Sequence, residues 1–115
     1  MKKAYDTDGA RRLVPYLRAT HREIRERMDT VRRLENRLRL LPEEERKTSP
    51  VNATLSTHRR EIREAKRDLL RLGCELDELG PFQVRIPGED GRLEHGFAWA
   101  PGDPTVREVE ADTAA

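Results

Sequence analysis

The chain has 115 residues, of which 39% are charged and 35% hydrophobic, so it can build one small domain with a limited apolar core. No run of 18 apolar residues exists, and the start MKKAYDTDGA has no apolar signal segment, so we expect a cytoplasmic protein with no membrane contact. The single cysteine, Cys74, excludes an internal disulfide and a cysteine-based zinc site. An aromatic content of 4% argues against base stacking on single-stranded nucleic acid.

The net charge of +1 hides a separation of sign along the chain. Residues 10–41 carry ten Arg against four acidic residues, and residues 51–72 carry six basic residues against three acidic ones. Residues 73–115 carry three Arg against ten acidic residues. We therefore expect a basic helical body followed by an acidic C-terminal region.

Apolar residues recur at steps of three and four in the first third of the chain, which predicts a first helix over about residues 7–41. The stripe consists of Ala10, Val14, Leu17, His21, Ile24, Met28, Val31, Leu34, Leu38 and Leu41. Asp6 or Thr7 can cap the start of this helix. Pro15 removes one backbone hydrogen bond, so a kink is expected there. The segment 42–50 breaks the pattern and is predicted to be the connection.

A second stripe alternates steps of four and three, as in the seam of a coiled coil, and predicts a second helix over about residues 50–73. It consists of Val51, Leu55, His58, Ile62, Ala65, Leu69 and Leu72. Ser49 and Pro50 form a cap followed by proline at the first helical position. Gly73 is the expected C-cap, but two further leucines keep the same spacing, so an end at Gly80 remains open.

Beyond the second helix the period changes to two, which predicts a small antiparallel β-meander over about residues 81–110. Its strands are expected at residues 82–86, 97–99 and 106–109. The predicted fold is α+β, mostly α, in one domain of residues 1–115. It is a long antiparallel helical hairpin, similar to a coiled coil, with the small meander at its C-terminal end.

Two parts of the sequence carry a resemblance to a known family. In Tyr5–Leu17 (YDTDGARRLVPYL) an aromatic residue and a helix-cap residue precede an alanine, which is followed by a proline and a leucine. Between Leu72 and Arg107 the segments LGCELDEL, VRIP, DGR and FAWAPGDPTVR follow one another. These segments resemble the two ends of the bacterial domain of unknown function 2203 family. The resemblance implies no activity, because that family has none established that could be carried over.

The sequence departs from that family's pattern at three positions where chemistry could reside. By this resemblance, Arg85 stands where the family has an acidic residue, Ala98 where it has a cysteine and Glu110 where it has a histidine. A metal or ligand held there by other members is therefore not expected here.

No set of side chains in this sequence predicts catalysis or a cofactor. His21 and His58 lie on the two stripes, but in an antiparallel hairpin they are separated by about 20 Å, so one metal ion cannot bind both. His95 has no serine or cysteine motif nearby, and Cys74 follows a helix end, where the helix dipole disfavours a thiolate. We therefore expect no catalytic residue, no cofactor and no metal in a protein that is not an enzyme.

The strongest candidate interaction surface is the arginine stripe, which consists of Arg59, Arg63, Arg67 and Arg71. Like charges four residues apart on a helix repel one another, and a helical projection places this stripe roughly opposite the seam. The stripe can face solvent, meet phosphates, or meet acids of the C-terminal region, and of the last two we favour the acids. Those acids are Asp77, Glu78, Glu108 and Glu110.

A two-helix hairpin buries one stripe on each helix, and another subunit commonly completes such a small core. We therefore expect a non-catalytic protein that acts through protein–protein association. A homodimer is the simplest form, and another protein partner remains open. The alternative is a nucleic-acid or ribosome-associated factor that binds phosphates through its arginine-rich helices.

Overall fold

The computed structural model describes residues 3–77 and 80–109. Within them the helices are α1 (Thr7–Arg12), α2 (Val14–Arg39), α3 (Glu43–Thr48) and α4 (Val51–Arg71). The remaining elements are β1 (Glu75–Asp77), β2 (Gln83–Ile86), a 3-10 helix (Leu93–His95), β3 (Phe97–Trp99) and β4 (Arg107–Glu108). The predicted fold class is confirmed, because a long α2–α4 helix pair precedes a small antiparallel sheet. No helix among the described residues is long and apolar enough to cross a membrane.

The first predicted helix is divided at Leu13 into α1 and α2. Pro15 has no backbone N–H to donate to the carbonyl of Arg11, so the α-helical ladder is interrupted there. The Leu13 N–H donates to the Ala10 carbonyl, only three residues back, at 3.1 Å. Regular spacing resumes where the Leu17 N–H donates to the Leu13 carbonyl at 2.9 Å. The expected kink is therefore a short break just before the proline.

Side-chain caps begin α1 and α4. Asp6 Oδ1 accepts a hydrogen bond from the Gly9 backbone N–H at 2.7 Å, before α1. Ser49 Oγ accepts one from the Val51 N–H at 3.2 Å, before α4. Each satisfies a backbone donor that the helix itself leaves unpaired, as the sequence indicated.

α4 ends at Arg71, and Gly73, whose φ of 80° suits glycine, closes this end two residues later. The Cys74 N–H donates to the Leu69 carbonyl at 3.0 Å, and the Gly73 N–H donates to the Leu70 carbonyl at 2.9 Å. This pair of bonds is the Schellman arrangement, which closes a helix end.

The sheet has one strand more than the sequence predicted. β1 pairs antiparallel with β2, with Leu76 opposite Val84, so an extension of α4 to Gly80 does not form. Leu79, the other leucine at helical spacing, lies outside the described residues. The strand order is β1-β2-β3-β4, and every neighbouring pair is antiparallel.

Two short helices also differ from the prediction. α3 lies within the predicted connection, and the glutamates of its first turn suit the positive end of the helix dipole. The 3-10 helix Leu93–His95, which the sequence did not predict, precedes the strand expected at residues 97–99. The Gly96 N–H closes that turn by donating to the Leu93 carbonyl at 3.2 Å.

The chain divides into two compact units. The sheet unit contains the described residues up to His21 and from Lys66 onwards, and the helical unit is Arg22–Ala65. The sheet unit contains a continuous core formed by helix residues and by strand residues. Its buried members are Ala10, Val14, Leu17, Leu69, Cys74, Val84, Ile86, Phe97, Trp99 and Val106.

Trp99 is the largest fully buried side chain of this core, with 1% of its surface exposed. Its indole Nε1–H donates to the Asp103 carbonyl at 3.2 Å, so the polar end of the ring is satisfied. The His21 ring lies 6.5 Å from it and 4.6 Å from the Phe82 ring, both in edge-on contact. Trp99 therefore anchors the meander to α2, as expected for a tryptophan on the inner face of a strand.

We expect Trp99→Ala to lower the free energy of unfolding by about 3–5 kcal/mol, because the substitution opens a large cavity in the core. Urea denaturation followed by circular dichroism measures this loss. Tyr16→Ala is the matched control, since Tyr16 is 38% exposed. A loss for Trp99→Ala no greater than that of the control would contradict the anchoring role.

Gly96 permits a close backbone approach that no other residue allows. A Cβ atom at this position would lie 1.9 Å from the Ile86 carbonyl oxygen. We expect Gly96→Ala to abolish the cooperative thermal transition, whereas Gly80→Ala, which meets nothing within 4 Å, should melt like the wild type. Equal melting temperatures for the two variants would show that β2 and β3 do not approach in this way.

Candidate functional site

The arginine stripe is exposed at all four of its positions, Arg59, Arg63, Arg67 and Arg71. The first two belong to the helical unit and the last two to the sheet unit. The outward orientation predicted from the helical projection is therefore present in the structure.

Two stripe arginines have acidic partners on the helices. Arg59 Nη2 lies 3.6 Å from Glu35 Oε2 on α2, and Arg71 Nη1 lies 2.6 Å from Asp68 Oδ1, three residues back on α4. Arg63 forms no ion pair with any described residue. Because the paired groups are about half exposed, each pair contributes at most about 1 kcal/mol. The stripe is therefore only partly neutralised.

The acids of the C-terminal region stay a predicted counter-charge for this stripe. Glu108 lies on β4 and lines a cavity of the sheet unit, and Asp77 is exposed on β1. Glu78 and Glu110 lie outside the described residues. Glu35 and Asp68, the partners of Arg59 and Arg71, both lie on the helices.

The helical unit leaves most of its apolar seam partly uncovered. In Arg22–Ala65 the buried residues are Ile24, Leu55 and Ala65. We call the remaining apolar stripe residues of this unit the open seam. They are Met28, which is 41% exposed, and the half-buried Val31, Leu34, Leu38, Leu41, Val51 and Ile62. Periodicity identified these residues as a stripe but could not show that part of each side chain stays exposed.

A hydrogen bond between Arg27 and His58 joins α2 to α4 in the helical unit. Arg27 Nη1 lies 3.2 Å from His58 Nδ1, and because a guanidinium has only donors, Nδ1 is the acceptor of this hydrogen bond. Arg27 Nε in turn lies 3.2 Å from Glu23 Oε2. Arg27 was missed by the sequence analysis because it does not belong to the apolar pattern. His58 is engaged by this arginine rather than by a metal-binding set.

His95 and Asp90 form a second polar pair, in the sheet unit. His95 Nδ1 lies 2.5 Å from Asp90 Oδ2. This hydrogen bond is the main reason that the pKa of Asp90 is lowered, and a hydrogen bond from the Arg92 backbone N–H lowers it further. The pair borders a cavity of about 410 Å³. The cavity is lined by Asp6, Thr7, Glu89, Asp90, His95, Phe97 and Glu108. Across residues 3–77 and 80–109 no three His, Cys, Asp or Glu side chains are grouped to hold a metal ion.

Cys74 is a core residue with 1% of its surface exposed. Burial raises the pKa of its thiol to about 11, so the thiol is protonated at neutral pH. Since the thiolate is the reactive form, this cysteine is suited to packing rather than to nucleophilic chemistry.

Arg85 and Ala98, two of the three positions that the resemblance singled out, are neighbours in the sheet. Arg85 on β2 is the cross-strand partner of Ala98 on β3, and Ala98 is in turn opposite Arg107 on β4. Glu110, the third position, lies outside the described residues. Positions 85 and 98 therefore belong to one local surface.

The comparisons with known proteins support the resemblance of the two ends. A family described as "Uncharacterized conserved protein (DUF2203)" matches residues 3–111. No curated protein and no solved structure gives a significant match. Because the match spans nearly the whole sequence, the chain belongs to the DUF2203 family.

Proposed function

We propose that this protein acts by self-association, with two copies packing their open seams together in a homodimer. The supporting observation is the contrast within the helical unit, where three residues are buried while seven apolar stripe residues keep part of their surface in water. Removing apolar surface from water stabilises an assembly by about 25 cal/mol per Å². A second copy supplies such cover.

A second copy is the favoured occupant because of the charges beside the open seam. The helical unit carries 12 basic and 9 acidic residues, so its net charge is small for its length. Ion pairs within each chain, Arg27–Glu23 and Arg32–Asp29, neutralise part of the arginine charge on α2. Two identical surfaces can therefore approach without strong repulsion, in the isologous geometry of most dimers.

We expect the wild type to have a mass near twice the 13.3 kDa of one chain across a tenfold range of concentration. Met28→Glu should shift this equilibrium towards the monomer, since it places a charge in the open seam at a side chain that a single chain already leaves 41% exposed. Light scattering after gel filtration measures both masses.

Leu40→Glu is the control for this experiment, because Leu40 is 85% exposed and lies outside the stripe. It should leave the mass unchanged. A wild type that stays monomeric at every concentration, or equal effects of both substitutions, would rule out association through the open seam.

The arginine stripe supports a second candidate function, because Arg63 has no ion pair among the described residues. Binding of nucleic acid through this stripe would respond steeply to salt, with about one unit of logarithmic slope for each phosphate contact. We favour the outcome in which RNA and DNA bind negligibly, and in which Arg63→Gln with Arg67→Gln changes only stability or self-association.

Fluorescence anisotropy with labelled RNA and DNA at several salt concentrations tests this preference. Arg11→Gln with Arg12→Gln is a charge-matched control on α1, where both side chains are exposed. Tight, salt-sensitive binding by the wild type that is lost in the stripe variant and kept in the control would reverse the order of the two functions.

A further inference from the structure

Arg85 is the one described residue with a buried side-chain nitrogen that has no hydrogen-bond partner. The atom is Nε, and the side chain as a whole is half-buried. None of the ion pairs found in residues 3–77 and 80–109 includes this guanidinium. Arginine stays charged at any physiological pH, so loss of a proton cannot relieve the free-energy cost of burying this donor without a hydrogen bond.

The strand register defines what surrounds Arg85. Its neighbours Val84 and Ile86 are fully buried in the core, so the Arg85 side chain leaves the opposite face of β2. Glu75 and Ala98 are its cross-strand partners on that face. Arg107 follows opposite Ala98. We call Glu75, Arg85, Ala98 and Arg107 the Arg85 row.

Among the described residues, the acids close to this row do not neutralise Arg85. Glu75 lies directly opposite in the register but is exposed and forms no ion pair with it. Asp103 pairs instead with Arg107, whose Nε lies 3.1 Å from its Oδ2. Ala98 beside it is only 4% exposed and Arg85 Nε is itself buried, so bulk water does not satisfy this N–H group. A negatively charged hydrogen-bond acceptor from outside the chain would satisfy the guanidinium.

We propose that the Arg85 row binds a small oxyanion, either a carboxylate or a phosphate group, with Arg85 as its main donor. Neighbouring strands lie about 4.8 Å apart, so Arg85 and Arg107 are about 10 Å apart at the backbone, with only the methyl group of Ala98 between them. Two long side chains can reach one anion across that gap, and a guanidinium binds carboxylate or phosphate through paired N–H groups. Because Nε is covered in the free protein, binding requires the Arg85 side chain to rotate.

The Arg85 row contains two arginines and one glutamate, so its charge suits an anionic ligand. The proposal is independent of self-association, because every residue of the row belongs to the sheet unit.

NMR of protein labelled with ¹⁵N at arginine tests the site directly. The Arg85 Nε–Hε resonance should shift in a saturable way at millimolar sodium phosphate or sodium acetate, and it should not shift with sodium chloride at the same ionic strength. A shift with one anion alone assigns the site to a phosphate or to a carboxylate. No saturable shift with either anion, or the same shift with chloride, overturns the proposal.

Melting temperatures of two variants provide the second measurement. Arg85→Met should melt no lower than the wild type without anion, because it removes an unsatisfied buried donor, and it should lose the stabilisation that the anion gives. Arg92→Met is the control, since Arg92 is an exposed arginine of the same unit and should keep that stabilisation. Anion stabilisation that persists in Arg85→Met would place the binding site elsewhere. If this variant does not fold, the NMR titration of the wild type still tests the proposal.

Discussion

An amphipathic helix has one apolar stripe to bury, and the organisation of this protein follows from what covers that stripe in each unit. In the sheet unit, strand residues such as Ile86 and Trp99 supply the second layer of the core, and Leu17 and Leu69 are fully buried. The helical unit contains no strand, and seven apolar stripe residues there stay partly exposed. The same kind of stripe therefore forms a closed core in one unit and an open seam in the other.

The segments that carry the family resemblance meet in the sheet unit. Tyr5 donates its hydroxyl to the Leu72 carbonyl at 2.8 Å and its backbone N–H to the Gly88 carbonyl at 3.2 Å. Arg18 Nη2, near the start of α2, donates to the Asp103 carbonyl at 3.3 Å, the same oxygen that accepts from the Trp99 indole. Residues near the two ends of the sequence thus form specific hydrogen bonds with each other. The helices between them require only apolar residues at helical spacing.

Local patterns explain how much of this fold could be predicted. Helical spacing identified both stripes. Pro15 indicated the break and Gly73 indicated the helix end, because proline and glycine each restrict or permit particular conformations of the local backbone. β1 was missed because Leu76 continues the helical spacing and a three-residue strand has no period of its own, so its state depends on pairing with β2. The unpaired state of Arg85 was likewise invisible, since it depends on the register of three strands.

The candidate surfaces divide in the same way. Spacing along one helix was sufficient to place the arginine stripe on an exposed face. The partners of that stripe depend on which residues the neighbouring helix brings close, as Glu35 does for Arg59. The open seam required the structure for a different reason, because periodicity reports which residues are apolar and not how completely they are covered.

Hydrogen–deuterium exchange followed by mass spectrometry at two protein concentrations tests the central claim most directly. If a second copy covers the open seam, amide protection in residues 22–65 increases with concentration, while protection in the sheet unit stays constant. Protection of residues 22–65 that is independent of concentration, or an increase confined to the sheet unit, would contradict association through the open seam.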